Sequence, residues 1–267
     1  MYSHPIKAIS LLITAFLIFS CSKYAATNRV YKKQARSFAK ILKQYPLQDT
    51  AGIADFIGTT NFSIRRPNFV IIHHTAQNSC EETIRTFTLP RTQVSAHYVI
   101  CKDGTVHHML NDYLRAHQAG VSKWGNATDI NSSSIGIELD NNGFEPFTEP
   151  QINSLIALLG RLKRSFSIPA ANFIGHGDIA PTRKNDPNWR FPWKQLADNG
   201  FGLWFGDTTR IAVPEYFQPL EALRIIGFDT RDTSAAKLAF KRHFLQDTTT
   251  VLNHADIRIL YSLYKKY

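Results

Sequence analysis

Apolar and polar positions along the chain predict several strands, two of them long. Residues 69–75, Phe-Val-Ile-Ile-His-His-Thr, form a short apolar run that ends in polar groups, which is typical of a buried central strand. Residues 134–139 alternate with period two, and this places Gly136 and Glu138 on the face opposite the apolar side chains. Shorter strands and an Asp-Gly hairpin turn are predicted at 97–101, 106–109, 172–175 and 102–105.

Helical patterns lie between these strands. Ser79-x-x-Glu82 and Thr148-x-x-Gln151 have the spacing of capping boxes, and the second precedes apolar residues at helical spacing as far as Phe166. Because strands and helices interleave, we expect an α/β domain in which helices flank a mixed central β-sheet.

The remainder of the chain is predicted to be helical. In the basic segment 23–50, Val30, Phe38 and Leu42 indicate one helix that stops before Pro46. A small C-terminal three-helix domain is predicted from apolar stripes at Tyr216–Leu223, stopped by Gly227, at 235–244 and at 257–264. These last helices contain no cluster of His, Cys and carboxylate residues, so we expect them to bind rather than to catalyse. A structural extension packed on the α/β domain is the alternative.

The first twenty residues have the pattern of an export signal. The apolar run Ala8–Phe19 is too short to span a bilayer, and a small residue and a cysteine follow it. Ile18-Phe19-Ser20-Cys21 resembles the lipobox of bacterial lipoproteins, which implies acylation of Cys21 and a lipid anchor in the bacterial cell envelope. Ser22 stands where an Asp would resemble an inner-membrane retention signal, so we expect the outer membrane, facing the periplasm. A plain secretory signal is the alternative.

These patterns divide the chain into four predicted segments. They are a signal peptide over 1–20, a lipidated N-terminus and tether over 21–54, the α/β domain over 55–206 and the helical domain over 212–267.

Charge and composition narrow the class of partner. With 43% hydrophobic residues the chain is not disordered, and 31 Lys and Arg against 21 Asp and Glu give a formal net charge of +10. Such a surface favours nucleic acid, lipid head groups or a carboxylate-bearing polymer, and charge alone does not choose among them. Cys80 and Cys101 reach an oxidising compartment after export, where they either pair or stay free.

The candidate chemistry lies at the strand ends. The sequence contains no phosphate-binding glycine loop, no nucleophile elbow and no H-E-x-x-H helix. His73 and His74 end one strand, and His176 ends another, ten residues before Asp186. Two imidazoles and one carboxylate form the ligand set of a catalytic zinc site with a free fourth position. Strand geometry does not choose between His73 and His74, and hydrogen-bonded structural histidines are the alternative.

Five short motifs follow one another along the chain. They are His73-x-Thr75, Ser95-Ala96-His97-Tyr98, His117-Gln118-Ala119-Gly120, Ser134-Ile135-Gly136-Ile137-Glu138 and His176 to Pro187. Together they resemble the zinc-dependent N-acetylmuramoyl-L-alanine amidases of type 2, which are related to peptidoglycan recognition proteins, and among them the AmiD-type lipoproteins. The resemblance covers roughly residues 55–205 and implies a mixed sheet with zinc in a groove at its strand ends.

The resemblance assigns roles to individual residues. It implies one Zn²⁺ per chain with His73, His176 and Asp186 as ligands, and so selects His73 over His74. Glu138 is implied as the general base that takes a proton from the attacking water, and Lys184 as the cation that stabilises the oxyanion. It further implies substrate contacts for His117 and Trp124. A surface Glu and a solvated Lys are the alternatives for the catalytic pair, and structural packing is the alternative for His117 and Trp124.

The predicted function follows from these roles. We expect a peptidoglycan hydrolase, anchored to the membrane, that cleaves the amide bond between N-acetylmuramic acid and L-alanine. Its partners would be peptidoglycan and muropeptides, with no nucleic acid, and we expect a monomer whose C-terminal helices resemble a peptidoglycan-binding domain. The alternative is a non-catalytic muropeptide recognition protein. Such relatives usually lose the third zinc ligand, whereas here all three positions hold competent ligands.

Overall fold

The computed structural model describes residues 23–43, 59, 61, 63–64 and 66–267. It consists of two compact units, Met1–Ser63 and Ile64–Tyr267, which are described separately. The predicted signal peptide, Cys21 and most of the predicted tether lie outside the described residues. The first unit contains helix α1, Ala25–Leu42, which confirms the predicted helix, and none of its side chains is buried.

The second unit is built on a mixed five-stranded sheet with the strand order β3-β2-β4-β1-β5. Strand β1 lies in the interior and is parallel to both of its neighbours, while β2 is parallel to β4 and antiparallel to β3. This arrangement confirms the predicted α/β class. The strands are β1 (Phe69–His74), β2 (Tyr98–Ile100), β3 (Val106–His108), β4 (Ser134–Leu139) and β5 (Phe173–Gly175).

Eight α-helices accompany this sheet in the part of the chain that the structure describes. The helices of the α/β region are α2 (Cys80–Thr88), α3 (Ile130–Ser133), α4 (Glu149–Phe166), α5 (His176–Ile179) and α6 (Trp193–Asp198). Those near the C-terminus are α7 (Pro219–Ile226), α8 (Thr233–Leu245) and α9 (His254–Tyr264). Helices α3, α5 and α6, of 4 to 6 residues, are too short to show helical periodicity and were not predicted.

Helix ends agree with the predicted caps, with one correction. Ser79 and Thr148 each accept a hydrogen bond from the backbone N–H three residues on, at 3.2 and 3.4 Å. The stripe predicted from Tyr216 begins later. Pro219 occupies the first position of α7, where its fixed φ and missing N–H are tolerated, and Tyr216 lies outside the helix and is exposed.

The sheet has an apolar layer on each face. Val70 and Ile72 belong to the cluster that contains the apolar side of α4, including Leu155 and Leu159. Ile71, on the opposite face of β1, belongs to a second cluster with residues of the C-terminal helices, such as Phe240. The C-terminal helices therefore share one apolar core with this face of the sheet, and the domain boundary near 206–212 stays a prediction.

The structure settles the state of two cysteines. Cys80, the first residue of α2, forms a disulfide with Cys101, the residue after β2, and their Cα atoms are 5.3 Å apart. None of the helices in the described ranges combines the length and apolar character needed for a membrane span.

Candidate metal centre and active site

The ends of neighbouring strands bring the predicted metal ligands together. His73 lies near the end of β1, and His176 begins α5 directly after β5, the parallel neighbour of β1. The loop from α5 folds back, with the Gly177 N–H donating to the backbone carbonyl of Asp186 at 2.7 Å. All three ligand residues are buried, with exposures of 2%, 3% and 6% for His73, His176 and Asp186.

The three side chains converge on a single point. The Nδ1 atoms of His73 and His176 lie 2.9 and 3.0 Å from Oδ2 of Asp186. Ligand atoms of the three residues all lie within 4.8 Å of one another. His74 is not part of this group, because it follows His73 in β1 and its side chain leaves the other face of the strand. The structure therefore brings together the three residues selected by the family resemblance.

The outer nitrogens of both imidazoles face carbonyl oxygens. Nε2 of His73 lies 2.5 Å from Oε1 of Gln118, and Nε2 of His176 lies 3.1 Å from the carbonyl oxygen of Ala119. Carbonyl oxygens only accept, so each Nε2 carries the proton and donates it. In the neutral imidazoles both Nδ1 lone pairs then point toward the Asp186 carboxylate. Three electron-pair donors facing one point fit a divalent cation, and two histidines with one carboxylate fit zinc.

One short segment supplies both of these acceptors, and two other side chains hold it in place. Oδ1 of Asn131 accepts the backbone N–H groups of Gln118 and Ala119 at 3.1 and 2.8 Å. Arg183 donates to the carbonyl oxygens of Ala119 and Val121 at 2.9 and 2.8 Å. We call Gln118, Ala119 and Asn131 the imidazole clasp. Sequence reasoning missed the clasp, because its residues contact the ligands only after distant segments have folded together.

The electrostatics of the group favour a positive charge. Burial opposes ionisation of Asp186, but His176 and His73, which donate to the carboxylate from Nδ1 when no metal is bound and the imidazoles are protonated there, outweigh it and hold the pKa of the carboxyl well below its usual value. Burial also opposes a charge on His73, yet Glu138 and Asp186 together raise its pKa. The pKa of His176 is lowered by burial and by the charge of His73. The pocket thus stabilises positive charge between its carboxylates.

Glu138 lies beside the metal group. It is the register partner of His73 on the adjacent parallel strand β4, so both side chains extend from the same face of the sheet. Its Oε2 atom is buried and has no hydrogen-bond partner. Burial raises the pKa of Glu138 to about 7, while His73 and Lys184 oppose that rise and Asp186 adds to it. An unpartnered carboxylate oxygen with a pKa near neutrality suits a proton acceptor.

The other predicted site residues occupy different surroundings. Lys184 is half-buried, and its positive charge opposes the rise in the pKa of Glu138. His117 is exposed, and its backbone exchanges hydrogen bonds with Ser95. Trp124 is buried, and its ring packs edge-on against Phe228 at 5.0 Å. The oxyanion role of Lys184 and the substrate contacts of His117 and Trp124 stay predictions.

Comparison with known proteins gives a consistent result. The model of a family described as N-acetylmuramoyl-L-alanine amidase matches residues 63–189. The chain is 32% identical to the N-acetylmuramoyl-L-alanine amidase AmiD of Escherichia coli over 211 residues, which cover 67% of this chain and 75% of AmiD. It is 38% identical over 104 residues to the 1,6-anhydro-N-acetylmuramyl-L-alanine amidase AmpD of Haemophilus influenzae, covering 39% of this chain and 56% of AmpD.

Solved structures resemble the fold over most of its length. AmiD of E. coli in complex with anhydro-N-acetylmuramic acid-L-Ala-D-γ-Glu-L-Lys has a TM-score of 0.69 and 28% identity, and the match covers 79% of this chain and 93% of that one. AmpDh3 of Pseudomonas aeruginosa has a TM-score of 0.70 and 28% identity, with 82% of this chain and 99% of that chain covered.

Proposed function

Because this chain belongs to the N-acetylmuramoyl-L-alanine amidase family, we propose that it uses one zinc ion, held by His73, His176 and Asp186, to cleave peptidoglycan. The bond cleaved by this family joins the lactyl group of N-acetylmuramic acid to the L-alanine of the stem peptide. The proposal rests on one observation. The Nδ1 atoms of His73 and His176 both face the Asp186 carboxylate, while their Nε2 atoms donate to the carbonyl oxygens of Gln118 and Ala119.

The zinc ion, when bound, would supply a Lewis acid that polarises the scissile carbonyl and lowers the pKa of water. Nearby residues of this chain perform the remaining steps. Glu138 accepts the proton of the attacking water and then delivers it to the leaving amine of L-alanine. Its burial and missing hydrogen-bond partner support this role, since the carboxylate keeps a free lone pair. Lys184, whose charge acts on Glu138, stabilises the negative charge that forms on the carbonyl oxygen.

The substrate class is inferred from the relatives. Two of the similar structures hold anhydromuropeptides, the AmiD complex a tripeptide form and an AmpDh3 complex a pentapeptide form. We propose that this chain binds muropeptides of the same chemistry at the metal group. Stem peptides carry free carboxylates, which agree with the excess of cations on the chain.

Mass spectrometry of muropeptides tests this function. Anhydromuropeptide incubated with the zinc-loaded protein should yield the stem peptide with a free amino group on L-alanine and the anhydro sugar with a free lactyl carboxylate. A metal-free preparation, verified by elemental analysis, should yield none, and one equivalent of zinc should restore cleavage. Muropeptide that binds but stays intact would instead favour the recognition protein, and cleavage in metal-free protein would contradict the zinc assignment.

We further propose that the enzyme works at a membrane that faces peptidoglycan. The lipobox-like sequence ending at Cys21 supports a lipid anchor, and Ser22 supports the outer membrane. The disulfide between Cys80 and Cys101 supports a compartment outside the reducing cytosol.

A further inference from the structure

The basic residues of α1 lie on one side of the helix. At about 100° per residue, Arg29, Lys32, Lys33, Arg36 and Lys40 fall within an arc of about 100°. Residues 23–43 contain no Asp or Glu, so no acidic side chain within this segment offsets these charges. One side of α1 is therefore a continuous cationic stripe.

The opposite side of the same helix is mainly apolar, with Thr27 and Gln34 as its polar residues. Val30, Phe38, Ile41 and Leu42 fall within an arc of about 120°, centred opposite the cationic stripe. They are 55%, 50%, 60% and 82% exposed, and no side chain of α1 is buried. An apolar face of this kind needs a partner that removes it from water.

We propose that α1 binds in the plane of an anionic lipid surface. In that position the four apolar side chains enter the acyl-chain boundary, and the cationic stripe meets the phosphates of the head groups. The 18-residue helix would cover about 27 Å of the surface. Its cations argue against a helix that crosses the bilayer.

The apolar face distinguishes lipid from other anionic partners. A peptidoglycan strand or a nucleic acid would engage the cations and leave Phe38 and Leu42 in water, whereas a bilayer satisfies both sides of the helix at once. The inference does not depend on acylation of Cys21, because the binding surface consists of α1 side chains alone. If Cys21 is acylated, α1 adds a second membrane signal to the acyl chains.

Vesicle co-sedimentation of a non-acylated chain, residues 22–267, tests the proposal. The protein should sediment with vesicles of phosphatidylglycerol and phosphatidylethanolamine, bind phosphatidylcholine vesicles much more weakly, and lose affinity as salt is raised. Each cation near an anionic surface is worth about 1 kcal/mol, about fivefold, so Lys32→Gln with Arg36→Gln should weaken binding roughly 25-fold. Phe38→Ser with Leu42→Ser should weaken binding at least about tenfold.

Matched controls isolate the helix. Arg85→Gln with Arg91→Gln removes the same charge from exposed positions of the second unit and should leave vesicle binding within about twofold of the parent. Amidase activity on dissolved muropeptide should be the same in all of these variants, so a failure of membrane binding is distinguishable from a failure of the proposed activity.

Three results would overturn the proposal. Equal binding to anionic and to phosphatidylcholine vesicles would show that the cationic stripe of α1 is not what binds. Parent-like binding by Phe38→Ser with Leu42→Ser would show the same of its apolar face. Binding to isolated peptidoglycan that depends on Lys32 and Arg36, without binding to vesicles, would assign the stripe to the wall polymer. Lipid-free sedimentation velocity that shows a dimer broken by Phe38→Ser with Leu42→Ser would assign the apolar face to a second copy.

Discussion

Gly136 provides the space that the side chain of Gln118 occupies beside the metal group. A Cβ atom at position 136 would lie 2.7 Å from Cγ of Gln118, closer than real Cβ contacts come. The amide that fills this space places Oε1 against His73, and its Nε2 donates to Oγ of Ser134 at 2.8 Å. Ser134 and Gly136 lie two residues apart on β4, so one strand holds the amide that orients a ligand carried by its neighbour, β1.

Gln118→Leu should lower the affinity for zinc by about 10- to 100-fold, because His73 loses the acceptor that fixes its tautomer. Gly136→Ala should lower it in the same direction by displacing Gln118. Chelator competition measures the affinity, and the absorption spectrum of the cobalt-substituted protein reports ligand geometry. Gln118→Glu keeps an acceptor oxygen and is the rescuing control. Gln118→Leu with unchanged zinc affinity would show that the amide does not position His73.

Glu138→Gln should keep about one zinc per chain and lose about 100-fold or more in kcat. The amide is nearly the same size as the carboxyl but does not accept the proton of water. Elemental analysis and steady-state kinetics on dissolved muropeptide measure the two effects separately. Loss of zinc together with activity would mean that Glu138 supports the metal and is not the general base.

The pH profile should depend on Lys184. Glu138 acts as the ionised carboxylate, so activity is present at higher pH and falls as pH drops through its pKa. Burial raises that pKa to about 7 in the metal-free site, and the positive charge of bound zinc lowers it. Because Lys184 also lowers the pKa of Glu138, Lys184→Ala should move the acid limb of kcat to higher pH and reduce kcat more than it raises KM.

Lys194→Ala is the matched control for this charge effect, since Lys194 is exposed and pairs with Asp198. The control should leave the acid limb in place. A Lys184→Ala profile that coincides with that of the parent would remove Lys184 from the electrostatics of the site.

Cys21→Ala should release the enzyme from the membrane fraction, or leave it with an uncleaved signal, without changing its activity on dissolved muropeptide. Membrane fractions washed in high salt test the anchor, because salt screens charge but does not extract acyl chains. The parent should resist the wash. A parent protein removed completely by salt is held by charge alone and carries no lipid.

The sequence predicts the elements of this fold more completely than their contacts. Period-two and apolar runs locate β1 and β4, because one or both faces of those strands are buried along their whole length. Helix α5 has 4 residues, which is about one turn, so its apolar pattern does not repeat and gives no sequence signal. The start of α7 is set by Pro219, although the apolar stripe extends upstream to Tyr216.

For the candidate site too, the sequence predicts the residues more completely than the contacts between them. Residue type and spacing, read through the family resemblance, select His73, His176 and Asp186. Gln118 lies 45 positions from His73 in the chain, and nothing local to either residue indicates that they meet. The pairing of Cys80 with Cys101 likewise depends on the distance between α2 and β2, which only the folded chain defines.

The apolar cluster that the sheet shares with the C-terminal helices is synthesised in two stages. Ribosomes deliver β1 and β5 before the helices that carry Leu223, Phe240 and Leu260, so this cluster lacks the contribution of those helices until they have been made. Nδ1 of His243, on α8, lies 2.7 Å from Oδ2 of Asp178. Asp178 follows the metal ligand His176 by two residues. A translation product interrupted before these helices therefore lacks the packing behind its metal site, so we expect it to hold the metal poorly and to cleave no cell wall.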